Sequence, residues 1–275
     1  MEAVKNQLQV LNLKMHSLQS RISSKVNRSI RSIQLRRSTI CSPIEANIIF
    51  ARSKINGVGY FLPYSSLKAT DLRQLSILNK GFHLHLLRKY THDEIALFDT
   101  DVVIDCGSFV GGFTIAAAQS GVKHIFSIEP STKNFKCLQL NLCIHGVTNV
   151  TPLNIALGNN SGTALLNLSS SGCDDSILEP DSHSLGESQT VNVETLEDII
   201  NQYNIDPNSL YLKIEAEGFE PEILKGLGNN KPRVIAIDVT PERNGESPRS
   251  EIEEIIRSYG YTLIKHTTRC LFAIN

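Results

Sequence analysis

The 275-residue chain has no tryptophan, no CxxC pair and no run of the roughly 18 apolar residues a bilayer-spanning helix needs. Neither dinucleotide nor nucleotide phosphate signatures occur, since both G-x-G-x-x-G and G-x-x-x-x-G-K-[ST] are missing. The N-terminus has no uninterrupted apolar core, so no secretory leader is expected. Its six cysteines, Cys41, Cys106, Cys137, Cys143, Cys173 and Cys270, have no zinc-ligand spacing. They read mostly as buried free thiols of a reducing compartment, which points to a cytoplasmic location. No metal site is expected.

Acidic charge dominates most of the chain, although its net charge is only −1. Residues 1–38 hold eight Lys or Arg residues against Glu2 alone, which leaves −8 on the remainder. So acidic a body is poorly suited to gripping phosphate backbones, and nucleic acid is not an expected partner.

The basic arm has its own pattern. Val4, Leu8, Leu11, Met15, Leu18 and Ile22 step by four and three, and Val26, Ile30 and Ile33 continue the stripe. This predicts an amphipathic helix that packs on its own domain, pairs with a second copy, or lies on a membrane surface. Organellar targeting also stays open, because the arm is rich in Arg and Ser and poor in acids.

Residues 39–100 read as an extension packing on the main domain. Two short strands flank Asn56-Gly57, and short helices are predicted around Leu67–Leu78 and Asp93–Leu97. From Asp101 the pattern turns regular. Strand-like "VVIDC", "HIFSIEP", "NVTPLNIAL", "SLYLKIEAEG" and "RVIAIDV" alternate with helical segments, and "YTLIK" with "CLFAIN" reads as a terminal hairpin. That alternation predicts an α/β domain over 101–275, doubly wound around a mostly parallel sheet. Between Leu157 and Val191 it is broken by a polar stretch read as a functional loop or lid, with "GTALLNLSS" and "SQTVNVE" as extra strands.

The chemistry-bearing stretch is "DVVIDCGSFVGGF". Asp105 closes an apolar strand and Gly107, Gly111 and Gly112 follow, a turn that lets a ligand approach the backbone. One strand–helix–strand unit later, Glu129 ends the next strand, where an acid can accept hydrogen bonds from a ribose diol. With no phosphate fingerprint, the turn favours a nucleoside cofactor without phosphate, such as S-adenosylmethionine, over a nicotinamide dinucleotide. An ordinary tight turn is the bland alternative.

These stations resemble the FkbM-type S-adenosylmethionine-dependent methyltransferases over about Asp101 to Asn275, through "VIDCGSFVGGFT", "IEPSTKNFKCLQLNL", "NIALGNNSG", "LKIEAEGFEPEILKGL" and the final "GYTL". The resemblance implies a seven-stranded class I methyltransferase fold. It also implies that Asp105, Gly107, Ser108 and Gly111 shape the methionine end of the cofactor site, that Glu129 binds the ribose, and that Asn154 and Ala156 lie near the adenine. The activity implied is O-methylation of a sugar, glycan or glycosylated small molecule. One residue departs from the family pattern: the family commonly has Asp where this chain has Glu215.

Methyl transfer to oxygen needs an aligned nucleophile and, in many cases, a base. Glu217 is the expected substrate-facing base or orienter, with Glu215 and Asp238 as further candidates, although Glu217 also suits a cap for the following helix. Asp174 and Asp175 read as sugar-binding acids or as loop solubilisers, and His183 as solvated. Cys106 is expected to pack in the turn. A methyltransferase acting on a lipid-linked acceptor, and a non-catalytic cofactor-binding scaffold, are the alternatives.

Overall fold

The computed structural model describes residues 39–45, 47–63, 76–92, 95–169, 172–178, 184–243 and 245–275. The amphipathic arm, His183 and most of the helix expected around Leu67–Leu78 lie outside these residues.

Seven strands form the central sheet. β4 (Val102–Cys106) sits in the middle, every residue of it buried, because a parallel strand covered on both faces needs an unbroken apolar run. It pairs in parallel with β5 (His124–Ile128) on one side and β10 (Leu210–Ile214) on the other. Beyond β5 lies β6 (Val150–Leu153), and beyond β10 lies β11 (Val234–Asp238), both parallel. The terminal hairpin, β12 (Thr262–His266) and β13 (Cys270–Ile274), completes the order β12-β13-β11-β10-β4-β5-β6. β13 runs antiparallel to both its neighbours. The chain leaves β4 toward β5 and returns on the far side at β10. The switch in strand order therefore falls between β4 and β10, beyond whose carboxyl ends ligands of such sheets bind.

Alternation along these strands feeds two apolar layers. Ile104, Leu212 and Ile214 pack with α4 (Leu196–Gln202), α5 (Glu220–Lys225) and α6 (Arg249–Ser258) on one face. Val103, Tyr211 and Val234 pack on the other with Phe113 and Ala117 of α2 (Gly112–Gln119). α2 is apolar all round, as a helix enclosed on every side must be. Helix α3 (Thr132–Ile144) covers the β5–β6 side. Ser131 stands at its N-cap position, but its side chain makes no capping bond. Thr195 and Asp198, by contrast, form a reciprocal capping box at α4.

The N-terminal extension differs from its sequence reading in two places. Strands β1 (Thr39–Glu45), β2 (Ile48–Ser53) and β3 (Gly59–Pro63) form an antiparallel sheet, of which β1 was not expected. α1 occupies Phe82–Tyr90, whereas no helix forms at 95–97, where Ile95 instead makes an isolated bridge to His92. The stripe Phe82, Leu86, Tyr90 is short and interrupted by His83, His85, Arg88 and Lys89, which hides its period. What fixes α1 is a tertiary contact. A Cβ on Gly112 would lie 2.5 Å from Leu86 Cδ1 and 2.8 Å from Phe82 Cε1, so glycine there lets α1 lie directly on α2. The extension also shares apolar packing with the main sheet, Tyr60 and Leu62 clustering with Val110 and Leu138. The Asn141 side chain donates to the Phe61 carbonyl and accepts from the Phe61 amide.

The third predicted strand, 149–157, is split into β6 and the two-residue β7 (Ala156–Leu157). Asn154 interrupts it by donating to the carbonyls of Glu129 and Pro130. Both extra strands expected in the polar stretch form, as β8 (Gly162–Ser169) and β9 (Ser184–Glu194), antiparallel to each other.

Candidate active site

A cavity of about 850 Å³ opens beyond the carboxyl ends of β4, β5, β10 and β11. It is enclosed by the β4 turn, the start of α2, residues 172–177 and α1.

Its floor is fixed by a lysine. Lys213, 2 % exposed, projects from β10 to the base of the β4 turn. Its ammonium donates to the carbonyls of Gly107 (2.8 Å) and Cys106 (3.2 Å) and lies 2.9 Å from Asp105 Oδ1 and 3.5 Å from Glu215 Oε2. Asp105 also accepts from Thr114 Oγ1 at 2.5 Å. Asp105 is fully buried and does not line the cavity, so it anchors the turn from below. Burial alone would neutralise Lys213, but Asp105 and Glu215 hold its pKa above the ordinary lysine value.

Gly107 has a positive φ of 71°, and a Cβ there would fall 1.7 Å from the Glu215 carbonyl oxygen. What crowds this glycine is the backbone leaving β10. Gly111, φ 87°, faces Leu138 of α3 and does not line the cavity. The Gly107 and Ser108 amides both donate to the Ile128 carbonyl at 3.0 Å, and Ser108 Oγ reaches the same oxygen at 3.2 Å. This suspends the turn from β5.

Glu129 and Ala156 line the cavity, while Asn154 braces the backbone beside them. The Glu129 carboxylate accepts from the amides of Phe109 (2.8 Å) and Ser131 (3.0 Å) and from Asn134 Nδ2 (3.3 Å). Burial pushes its carboxyl up to about 8 against the pull of those donors. Two neighbouring acceptors, Asn134 Oδ1 and Asp175 Oδ2, are buried without a hydrogen-bond donor among the described residues. Asp175, left open in the sequence as a sugar-binding acid or solubiliser, thus sits at the Glu129 end, with its other oxygen accepting from Ser169 N (2.7 Å) and Oγ (3.0 Å).

The three candidate catalytic acids all line the cavity but differ in what holds them. Asp238, 1 % exposed, accepts from Thr240 N and Oγ1 (both 2.7 Å) on one oxygen. Its other oxygen meets Lys89 of α1 and Tyr90 Oη. Glu215 meets Lys89 Nζ at 2.6 Å through Oε1 while Oε2 faces Lys213. Burial would raise its pKa, yet the two ammonium groups hold it far below the ordinary carboxylate range. Glu217 is left over. Its backbone is strained at φ 50° and its carbonyl accepts from Ser176 Oγ at 2.9 Å, but its carboxyl receives no hydrogen bond from the described residues. Burial first, then Glu242, Glu215 and Asp174, raise its pKa well above the ordinary glutamate value. Glu242 is likewise pushed up to about 8, by burial and then Asp238.

No side chain caps α5; Glu220, its first residue, instead ties the preceding loop, its Oε1 accepting from the amides of Ala216 (2.7 Å) and Gly218 (3.3 Å). Cys106 is buried and its thiol pushed up by burial, as suits packing in the turn. Lys89 and Lys213 were missed. The Lys of "LKIEAEG" stood in view inside a strand-like run, but Lys89 lies on the helix whose period was hidden.

These carboxyls make stability depend on pH. Glu129, Glu220 and Glu242 rise from an ordinary 4.5 to about 8, 7 and 8, and Glu217 rises with them. Between those limits these carboxyls bind more protons in the folded chain than in the unfolded one, so their contribution is greatest below the window and declines as pH climbs through it. His83, His85, His124 and His145, held by burial below the ordinary 6.5, act in the opposite direction up to about that pH. Above it the carboxyls act alone, and scanning calorimetry should show Tm falling from about pH 6.5 to about pH 8.5. A flat or rising Tm would mean that these groups are ionised throughout.

Comparison with known proteins fits this geometry. Residues 105–263 match the family model described as the methyltransferase FkbM domain, and the chain belongs to that family. S-adenosylmethionine is accordingly its cofactor. No curated protein matches. Among solved structures, a magnesium protoporphyrin IX methyltransferase from Synechocystis PCC 6803 with bound SAM is 12% identical, over 73% of this chain and 83% of that one, with a TM-score of 0.43. A precorrin-6y methyltransferase from Geobacter metallireducens is 14% identical over 70% and 88%, with a TM-score of 0.41. A SAM-dependent methyltransferase from Aquifex aeolicus is 12% identical over 75% and 96%, also at 0.41.

The residues present fit the cofactor. Glu129, Asn134 Oδ1 and Asp175 Oδ2 offer acceptors at one end of the cavity, suited to ribose hydroxyls or an adenine amine. Ile128, Ala156 and Leu157 supply apolar wall beside them. At the other end, the ionised Glu215 lines the cavity, a carboxylate beside which a sulfonium cation is favoured.

Proposed function

We propose that the chain is an O-methyltransferase whose acceptor is a hydroxyl of a sugar, glycan or glycosylated small molecule. The observation that carries this reading is the division among the three acids. Glu215 and Asp238 are tied to Lys89, which leaves Glu217 as the cavity acid with an unengaged carboxyl. When bound, S-adenosylmethionine supplies an electrophilic methyl on a positively charged sulfur. Glu129 would hold the ribose, and the Lys213-braced turn would set the methionine end through Gly107 and Ser108.

Glu217, whose pKa burial and then Glu242 hold well above the ordinary glutamate value, is placed to take the acceptor's proton once it is ionised. Its strained backbone, hooked to Ser176, aims it across from the β4 turn. The polar 172–177 wall suits a hydroxyl-rich acceptor better than a flat apolar one. The test is S-adenosylhomocysteine release with a panel of glycosides. Release with at least one hydroxyl acceptor supports the reading. Cofactor binding with no release across the panel would favour a non-catalytic scaffold or a lipid-linked acceptor.

A further inference from the structure

The cavity mouth sets acids on one wall and bases on the other. On one side stand Asp174, Asp175, Glu217 and Glu242, in keeping with the acidic body. The other wall, formed by α1, the residue before its N-cap and the β12–β13 turn, presents Lys80, His85, Lys89 and Arg269. Lys89 is spent on Glu215 and Asp238. Lys80 and Arg269 are exposed, line the cavity and have no carboxylate partner among the described residues. Exposed cations of a folded protein are unremarkable singly. Here two converge on one cavity wall from segments 189 positions apart, beside a third exposed cation, Arg88.

His85 reports their convergence, because its imidazole is held below its ordinary pKa by burial and then by Lys80, Lys89, Arg269 and Arg88. A neutral imidazole between two cations still offers one N–H donor. Nothing in methyl transfer from a sulfonium requires this wall. A cation-rich wall would repel the cofactor's sulfur, and with the cofactor's carboxylate set at the β4 turn its natural occupant is a negative group on the other substrate.

Resting on the methyltransferase reading above, we infer that the acceptor carries a phosphate ester, bound by Lys80, His85 and Arg269 while its hydroxyl points toward Glu217. Two cations match a dianion, and the guanidinium fork of Arg269 suits phosphate oxygens. The phosphate belongs to a soluble sugar phosphate. A phospholipid headgroup offers the same chemistry and is separated by the test.

The full chain, saturated with S-adenosylhomocysteine, should bind glucose 1-phosphate more tightly than glucose by at least tenfold, with the difference shrinking as salt rises. A Lys80→Glu/Arg269→Glu double variant should lose that preference, weakening glucose 1-phosphate by roughly 10–100-fold while keeping S-adenosylhomocysteine affinity. Lys80→Gln/Arg269→Gln, which adds no repulsion, should lose most of it too. Preserved cofactor affinity shows that the variants are folded, and failure of the parent to bind S-adenosylhomocysteine would strike the methyltransferase reading itself. Equal binding of glucose and glucose 1-phosphate by a cofactor-competent parent overturns the inference. So does charge-dependent partition onto phosphatidylglycerol vesicles without any preference for the soluble phosphate, which would assign the wall to a membrane.

Discussion

Glu217→Gln should lower turnover by about 10²–10⁴-fold, the range expected for removing a general base, while leaving affinity for S-adenosylmethionine unchanged. The substitution keeps the side chain's size and removes its ability to take a proton. The parent's kcat/KM should rise with pH, because burial and then Glu242 make Glu217 resist ionisation, and the base form accumulates only as its proton leaves. In the Gln variant that rise should flatten. A pH–rate series on both proteins checks this. If Glu217→Gln methylates as fast as the parent, alignment alone carries the reaction and Glu217 merely closes the cavity.

Lys213→Met should destabilise the fold by about 3–5 kcal/mol, the usual result of removing one partner from a buried ion pair. Asp105 would be left fully buried with only Thr114 to satisfy it, and the carbonyls of Cys106 and Gly107 would lose their donor. At roughly 2–4 °C per kcal/mol for a chain of this size, the loss is readily seen in Tm. Lys213→Met/Asp105→Asn should recover part of it, since removing both charges costs less than stranding one. Cofactor affinity should fall in the single variant, because the β4 turn loses the tie to β10 that sets its position. Near-additive losses in the double variant would show that the two residues act independently.

The sheet was readable because its strands are buried runs with turn residues between them. "VVIDC" and "RVIAIDV" can form nothing but central strands when helical periodicity interrupts them so regularly. Glu129 was readable for a related reason: an acid at the end of a buried strand must be satisfied by something beyond it. What the order of residues hid were approaches made only in three dimensions. Gly107 and Gly112 stand together in the sequence as one glycine-rich turn, yet the first yields to the Glu215 carbonyl and the second to α1. Lys89 was invisible because its helix precedes the domain and shows no clean stripe.

That lysine also gives the Glu215 departure a physical setting. Glu215 reaches Lys89 with one oxygen while the other stays near Lys213, a span the extra methylene serves. Lys89 lies outside the matched residues 105–263, so the family pattern alone gives no hint of the pairing. The engagement of Asp238, a further candidate acid in the sequence, was hidden on similar grounds, since it depends on Lys89 and on the backbone turning at Thr240.

The central claim is that the cavity between β4 and β10 holds S-adenosylmethionine with Glu129 on its ribose, and isothermal titration tests it most directly. The parent should bind S-adenosylmethionine and show no heat with NAD, whose pyrophosphate finds no glycine fingerprint in the β4 turn. Glu129→Ala should weaken binding by roughly 10–100-fold, as two ribose hydrogen bonds are lost at about 0.5–1.5 kcal/mol each. Glu129→Gln, which keeps an acceptor for the amides of Phe109 and Ser131, should fall between the two. Equal affinity in the parent and a folded Glu129→Ala variant, or tighter binding of NAD than of S-adenosylmethionine, would contradict the account.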